Sequence, residues 1–170
     1  SEKEELLRCD YLKISDLDDT EINHETTEKR KITKADYDKY KNSFLKDDDI
    51  VMSRSGTIGK IAIVQTNGRK IIPAPTLFVL RVNKNKINPI YLLHELTSNQ
   101  TQDQIRNFTT GAYIPSLSVS SLKKLQISLL PMSEQAKKVE KYLKLRTEIK
   151  KLEEKLEKKR RELSGGIQWV

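Results

Sequence analysis

Cysteine is nearly absent: Cys9 is the only one in 170 residues, so the chain forms no internal disulfide and cannot assemble a cysteine-ligated zinc site. The two histidines, His24 and His94, are isolated from each other and from other soft ligands, and no metal-binding spacing is found. No apolar run approaches the roughly 20 residues that span a bilayer. The N-terminal SEKEELL is acidic and lacks the apolar core of a signal peptide. There is no initiator Met, which points to a piece cut from a longer polypeptide. A soluble, cytoplasmic protein is expected, with no membrane partner, no metal and no cofactor.

Charge is what the chain has in quantity. Charged residues make up 33% of the sequence, the formal net charge is +8, and the mean hydropathy is -0.65. A basic balance of this size favours a polyanionic partner over an acidic small substrate. Its distribution is uneven: twelve Lys/Arg against seven Glu lie between Glu134 and Glu162, leaving about +3 for everything else.

That basic stretch is also a distinct region. Residues 133–163 contain no Gly or Pro and are dense in strong helix formers, whereas residues 10–131 mix short β-like runs with turn signals. Tyr142, Leu145, Ile149, Leu152, Leu156 and Leu163 recur at a/d spacing, with Lys159 breaking one d position. Ser133 is expected to cap the helix and Gly165-Gly166 to end it. At about 1.5 Å per residue such a helix is roughly 45 Å long and cannot bury its seam against itself. The expected division is a domain over 1–131, a pairing helix over 132–166 and a tail over 167–170.

Within the first region, DYLKISDL (10–17) reads as a strand leading into an Asp-rich turn. ITKADYDKYKNSFL (32–45) reads as a helix with Thr33 as its cap. IVMS (50–53), KIAIVQ (60–65) and TLFVLRV (76–82) are β-rich, and Asn67-Gly68 is a hairpin signal. Asn88-Pro89 starts a helix toward Phe108 that breaks near Ser98-Asn99. A loop over 109–118, a short helix near Ser120–Leu125 and a strand QISLLP complete the region.

Catalytic readings fare poorly. SRSGTIGKIAIV (53–64) resembles a phosphate loop only in part: Arg54 stands where the first glycine of a Walker motif belongs, and Ile61 replaces Ser/Thr after the lysine. NPIY (88–91) is one residue from the Asn-Pro-Pro-Tyr set of amino-directed DNA methyltransferases, but no glycine-rich cofactor loop follows a strand; a helix cap is the simpler reading. Asp47-Asp48-Asp49 lacks a matching lysine strand and reads as a loop, and Ser53, Ser55, Ser116 and Ser118 have no evident base partner. No catalytic constellation emerges. Two loops, RSGTIGK (54–60) and RNFTTGAY (106–113), join glycine to hydroxyl and basic residues, as contacts to phosphate oxygens require. Arg54, Ser55, Thr57, Lys60, Thr109, Thr110 and Tyr113 are the candidates there, and Arg54 can also pair with guanine.

Taken in order, DDIVMSRSGTIGKIAIV, YLLHELTSN and TTGAYIPSLSVSSLKKLQISLLPMSEQAKKVEKYL resemble the specificity subunits of Type I restriction–modification enzymes, and YLKISDL resembles the start of such a domain. The resemblance implies an α+β fold: a compact target recognition domain with a twisted β-sheet, then a long coiled-coil helix. It also implies a non-catalytic component that reads one half of a bipartite site on double-stranded DNA. The helices would act as a ruler and dock a DNA methyltransferase subunit that carries the chemistry. A motif shared by domains with different targets is poorly suited to base readout. Ser55, Thr57 and Lys60 are therefore assigned to the turn or to phosphate, and base readers to 23–34 and 66–74, where Lys29, Arg30, Lys31, Arg69 and Lys70 are the charged candidates. The family's Gly-Asp before the central strand is Asp48-Asp49 here. A full subunit carries two recognition domains and two helices, so this chain is a dimerising half-subunit, a piece of a longer subunit, or the recognition domain of a fused methyltransferase. A coiled-coil interaction module without DNA specificity is the reading from another class.

Overall fold

The computed structural model describes residues 6–166. The chain divides into two compact units, one up to Leu130 and one from Pro131.

Among the described residues the first unit holds three small sheets rather than one continuous sheet. Strand β1 (Leu6–Leu12) pairs antiparallel with β4 (Glu28–Thr33) and parallel with β7 (Ile71–Pro73). Strands β2 (Leu17–Asp18) and β3 (Glu21–Ile22) form a tight hairpin whose turn residues, Asp19 and Thr20, have φ of 36° and 69°. The third sheet has the order β6 (Ile61–Ile63), β5 (Ile50–Ser53), β8 (Leu77–Leu80), all antiparallel.

Strand β5 is buried on both faces, which explains why IVMS is a continuous apolar run and not an alternating one. Val51 and Ala62 face a core with Leu12, Leu17, Leu45, Val64 and Ile71. Ile50, Met52, Ile61 and Phe78 face a second core with Leu92, Leu93, Leu96, Ile105 and Leu117. The sheet is thus the wall shared by two cores.

The helices begin where side-chain chemistry starts them. Thr33 Oγ1 accepts from Asp36 N at 3.1 Å and opens α1 (Lys34–Tyr40), which stops short of the expected Leu45. Asn88 Oδ1 accepts from Ile90 N at 2.8 Å, and Pro89 takes the first position of α2 (Pro89–Thr97). Ser98 ends α2 and caps α3 (Asn99–Phe108), so the expected break falls at Ser98-Asn99. The short α4 spans Val119–Leu122. Tyr91, of the NPIY stretch, is 1% exposed and its hydroxyl donates to the Ser128 carbonyl at 2.6 Å, so it supports the fold.

Four expectations need correction. The Asn67-Gly68 turn is present, with φ of 51° and 76°, but it joins β6 to a strand of a different sheet and closes no hairpin. Residues 28–33, for which the sequence predicts no strand, form β4; their charges sit on the outer strand of the sheet, where they also discourage edge-to-edge pairing. QISLLP forms no strand. In the second unit, α5 (Met132–Gly166) begins at Met132, and the Pro131 carbonyl accepts from Glu134 N and Gln135 N, so Ser133 lies in the first turn and is not the cap.

Candidate nucleic-acid interface

The 53–60 turn is held by two main-chain bonds and one to the Ser53 hydroxyl. Ser53 N donates to Lys60 O at 2.8 Å, Ser53 Oγ accepts from Lys60 N at 2.9 Å, and Gly59 N donates to Ser53 O at 3.2 Å. Gly59, at φ 78°, also lies against α3: a Cβ there would stand 2.8 Å from Gln102 Oε1 and 3.4 Å from Ile105 Cγ2. The second glycine of the pattern is therefore a close-approach position. Arg54 is half-buried, with its guanidinium 4.6 Å from the Phe78 ring centre. Lys60 is exposed, and its Nζ donates to Leu17 O at 3.2 Å. Thr57 is exposed at the tip.

The 109–117 segment is laid onto this turn. Gly56 N donates to Pro115 O at 3.0 Å, Leu117 N donates to Arg54 O at 2.8 Å, and Ser55 bridges Ser116. Thr110 and Ser116 exchange main-chain bonds at 3.0 and 2.7 Å and close a loop at whose tip Tyr113 is 100% exposed. Gly111 has φ 103°, and a Cβ there would collide with the Ile114 carbonyl oxygen. Thr109 caps the end of α3, its hydroxyl donating to Ile105 O at 2.7 Å. The two loops found in the sequence thus form one composite surface bearing Arg54, Ser55, Thr57, Thr110 and Tyr113.

The other basic candidates gather on the β1–β4–β7 sheet, and they divide. Asp10, largely buried, accepts from Lys29 Nζ at 2.6 Å and lies 3.5 Å from Arg69, while both cations also donate to the His24 carbonyl. Arg30 is on the opposite face, stacked 3.4 Å from the Tyr11 ring centre and bonded to Glu28 at 2.7 Å. Arg30 first and Lys13 second hold the Glu28 carboxyl down at about 2, below its ordinary 4.5. Lys31 and Lys70 are exposed. Lys31 stands directly across from Arg8, a residue that sequence reasoning missed. Like charges facing each other across strands are destabilising on their own. The signal was the spacing of Arg8 and Asp10 on one face of β1, but it could be read only with the β4 register in hand.

The acidic run is structural. Asp49 is 2% exposed, receives Arg81 through Nε at 2.7 Å and Nη2 at 2.6 Å, and accepts from Lys46 N at 2.8 Å. This pairing raises the Arg81 guanidinium above its usual range. Asp48 sits at φ 69°, the conformation glycine adopts without cost. Thr66, through its backbone N–H first and its hydroxyl second, holds the Asp47 carboxyl below the usual range. Burial pushes the Cys9 thiol up. Among the described residues no cluster of His, Cys, Asp and Glu is arranged to hold a metal, and no helix is long and apolar enough to cross a membrane.

On α5, Leu145, Ile149, Leu152, Leu156 and Leu163 are exposed, and Tyr142 is half-buried with its hydroxyl accepting from Arg146 at 2.8 Å.

Known proteins resemble the chain along most of its length. Over 79 residues it is 35% identical to a type I restriction enzyme specificity subunit, MjaX, of Methanocaldococcus jannaschii, covering 46% of this chain and 19% of that protein. Its fold matches the HsdS subunit of Thermoanaerobacter tengcongensis with a TM-score of 0.64 at 19% identity, over 86% of this chain and 37% of that one. The S subunit of the M. genitalium type I system matches with a TM-score of 0.56 at 12% identity, over 95% and 44%. The chain therefore spans less than half the length of these relatives. The family of the Type I restriction modification DNA specificity domain matches residues 3–159, and to that family this chain belongs.

Proposed function

We propose that the chain is a sequence-reading module that grips one half of a bipartite duplex site, and that it carries no chemistry of its own. The observation behind this is the joining of RSGTIGK and TTGAYIPS into one surface, two loops whose residue types suit sugar and phosphate contact. Arg8 and Lys31 would add contacts to the phosphate backbone, because cations held side by side gain from a polyanion what they lose to each other, and the exposed Lys70 would add another. A DNA methyltransferase subunit, with or without a restriction subunit, would supply catalysis. The test is selection from a randomised duplex pool. A short sequence preference should survive at about 150 mM salt, with affinity falling steeply as salt rises. Binding that is flat across the pool would count against the reading.

The helix would pair with a second helix of the same type, from another copy or from another part of a longer subunit. Its flanking charges favour one direction. In a parallel, in-register pair Lys141 meets Arg146, Glu148 meets Glu153 and Lys155 meets Arg160, all like charges. In an antiparallel pair with Ile149 opposite Leu152, Lys141 meets Glu162, Glu148 meets Lys155 and Arg146 meets Glu153. The helix is complementary to itself only head to tail.

A further inference from the structure

We propose that the 110–116 loop is a wedge: Tyr113 and Ile114 enter the base stack of the bound duplex and open one base step. This rests on the DNA reading above and adds a way of choosing sequence that needs no hydrogen bond to a base edge.

Adjacent large apolar side chains rarely stand free in water. Here Tyr113 is 100% exposed and Ile114 is 68% exposed, side by side at one tip. The tip is also held in place. Thr110 and Ser116 close the loop with two main-chain bonds, and Gly111 leaves no room for a side chain beneath Ile114. Pro115 accepts from Gly56 N, which ties the loop to the 53–60 turn. A floppy loop would lose more entropy of ordering on insertion; bonds at its base reduce that cost here.

The surroundings point to nucleic acid as the occupant. No charged residue lies between Arg106 and Lys123, so the tip can leave water without stranding a charge. Around it stand hydroxyls, Ser55 and Thr57 from one loop and Thr110 and Ser116 from the other, suited to the sugar and phosphate oxygens that flank a base step. A protein-docking surface would present a broad apolar area; here the large apolar side chains exposed at the tip are two, Tyr113 and Ile114. Apolar wedges of this size partly unstack a step and kink the helix. The cost of opening depends on the step, and pyrimidine–purine steps open most easily. The wedge therefore selects TA or CA/TG at one fixed position.

Permanganate attacks unstacked thymines, so the full chain bound to the randomised duplex pool reports the wedge directly. We expect reactive thymines at a pyrimidine–purine step at a constant offset from the selected bases. The Tyr113→Ala, Ile114→Ala double variant should abolish that reactivity and weaken binding roughly ten- to a hundredfold. Its salt slope and melting temperature should stay unchanged, because both side chains are exposed. Tyr113→Phe should keep the reactivity. A wild-type complex that selects sequence but leaves every thymine as unreactive as in free duplex overturns the wedge alone, as does a double variant that leaves the reactivity intact. Absence of any selected sequence overturns the DNA reading and the wedge together.

Discussion

The leucines at the centre of the first unit and those along the helix of the second behave oppositely. Before Pro131, Leu12, Leu93 and Leu117 are 0–1% exposed; after it, Leu152 and Leu163 are 63% and 67% exposed. The first unit contains two cores that bury most of its apolar residues, the Tyr113–Ile114 tip being an exception. The second has the same kind of residue at regular spacing and nothing in its own unit to cover it. Length of helix does not confer stability on a seam; a facing surface does. One unit encloses its own cores, and the other presents an exposed seam, the surface proposed above for pairing.

The largest effect should come from attacking the seam. Ile149→Asp with Leu152→Asp should weaken helix pairing by at least a hundredfold, since about 2 kcal/mol of burial is lost at each site and charge is placed in the contact. Sedimentation should show monomers, while the melting of the first unit stays in place. An unchanged oligomeric state would assign the seam to a different partner. The next largest should come from Asp49→Asn, which removes one charge of the Asp49–Arg81 pair; the half-exposed Arg81 moderates the loss to about 2–3 kcal/mol. Urea unfolding of the first unit should record it, and helix pairing should not change. The smallest concerns Glu28. Its carboxyl is depressed in the fold to about 2 from 4.5, so the stabilisation it gives is complete above 4.5 and is lost as pH falls toward about 2. The ion pairs are open to solvent, so Glu28→Gln should flatten only a shallow acid-side slope, and added salt should erase it.

What the sequence disclosed was mostly local. Thr33, Asn88-Pro89 and Ser98 mark helix starts through bonds to residues two or three positions away, and these were legible. The long helix was legible from periodicity. What stayed hidden depends on pairing between distant segments. β4 carries Glu28, Lys29, Arg30 and Lys31, a poor strand by propensity, and it forms because β1 offers it a partner. The same pairing places Arg8 opposite Lys31, so a residue ahead of the expected strand became part of the candidate surface. For the RSGTIGK stretch, spacing suggested glycines near another surface. The structure identifies one such surface as α3 at Gly59, a relation no local signal encodes.

The ties that hold the 110–116 loop to its neighbour run through main-chain atoms: Thr110 with Ser116, Gly56 with Pro115, Arg54 with Leu117. Peptide groups are common to every residue, so positions 112–114 can be rewritten by mutation while the scaffold beneath them is spared. In such a division the part free to change carries none of the weight of the part that must not.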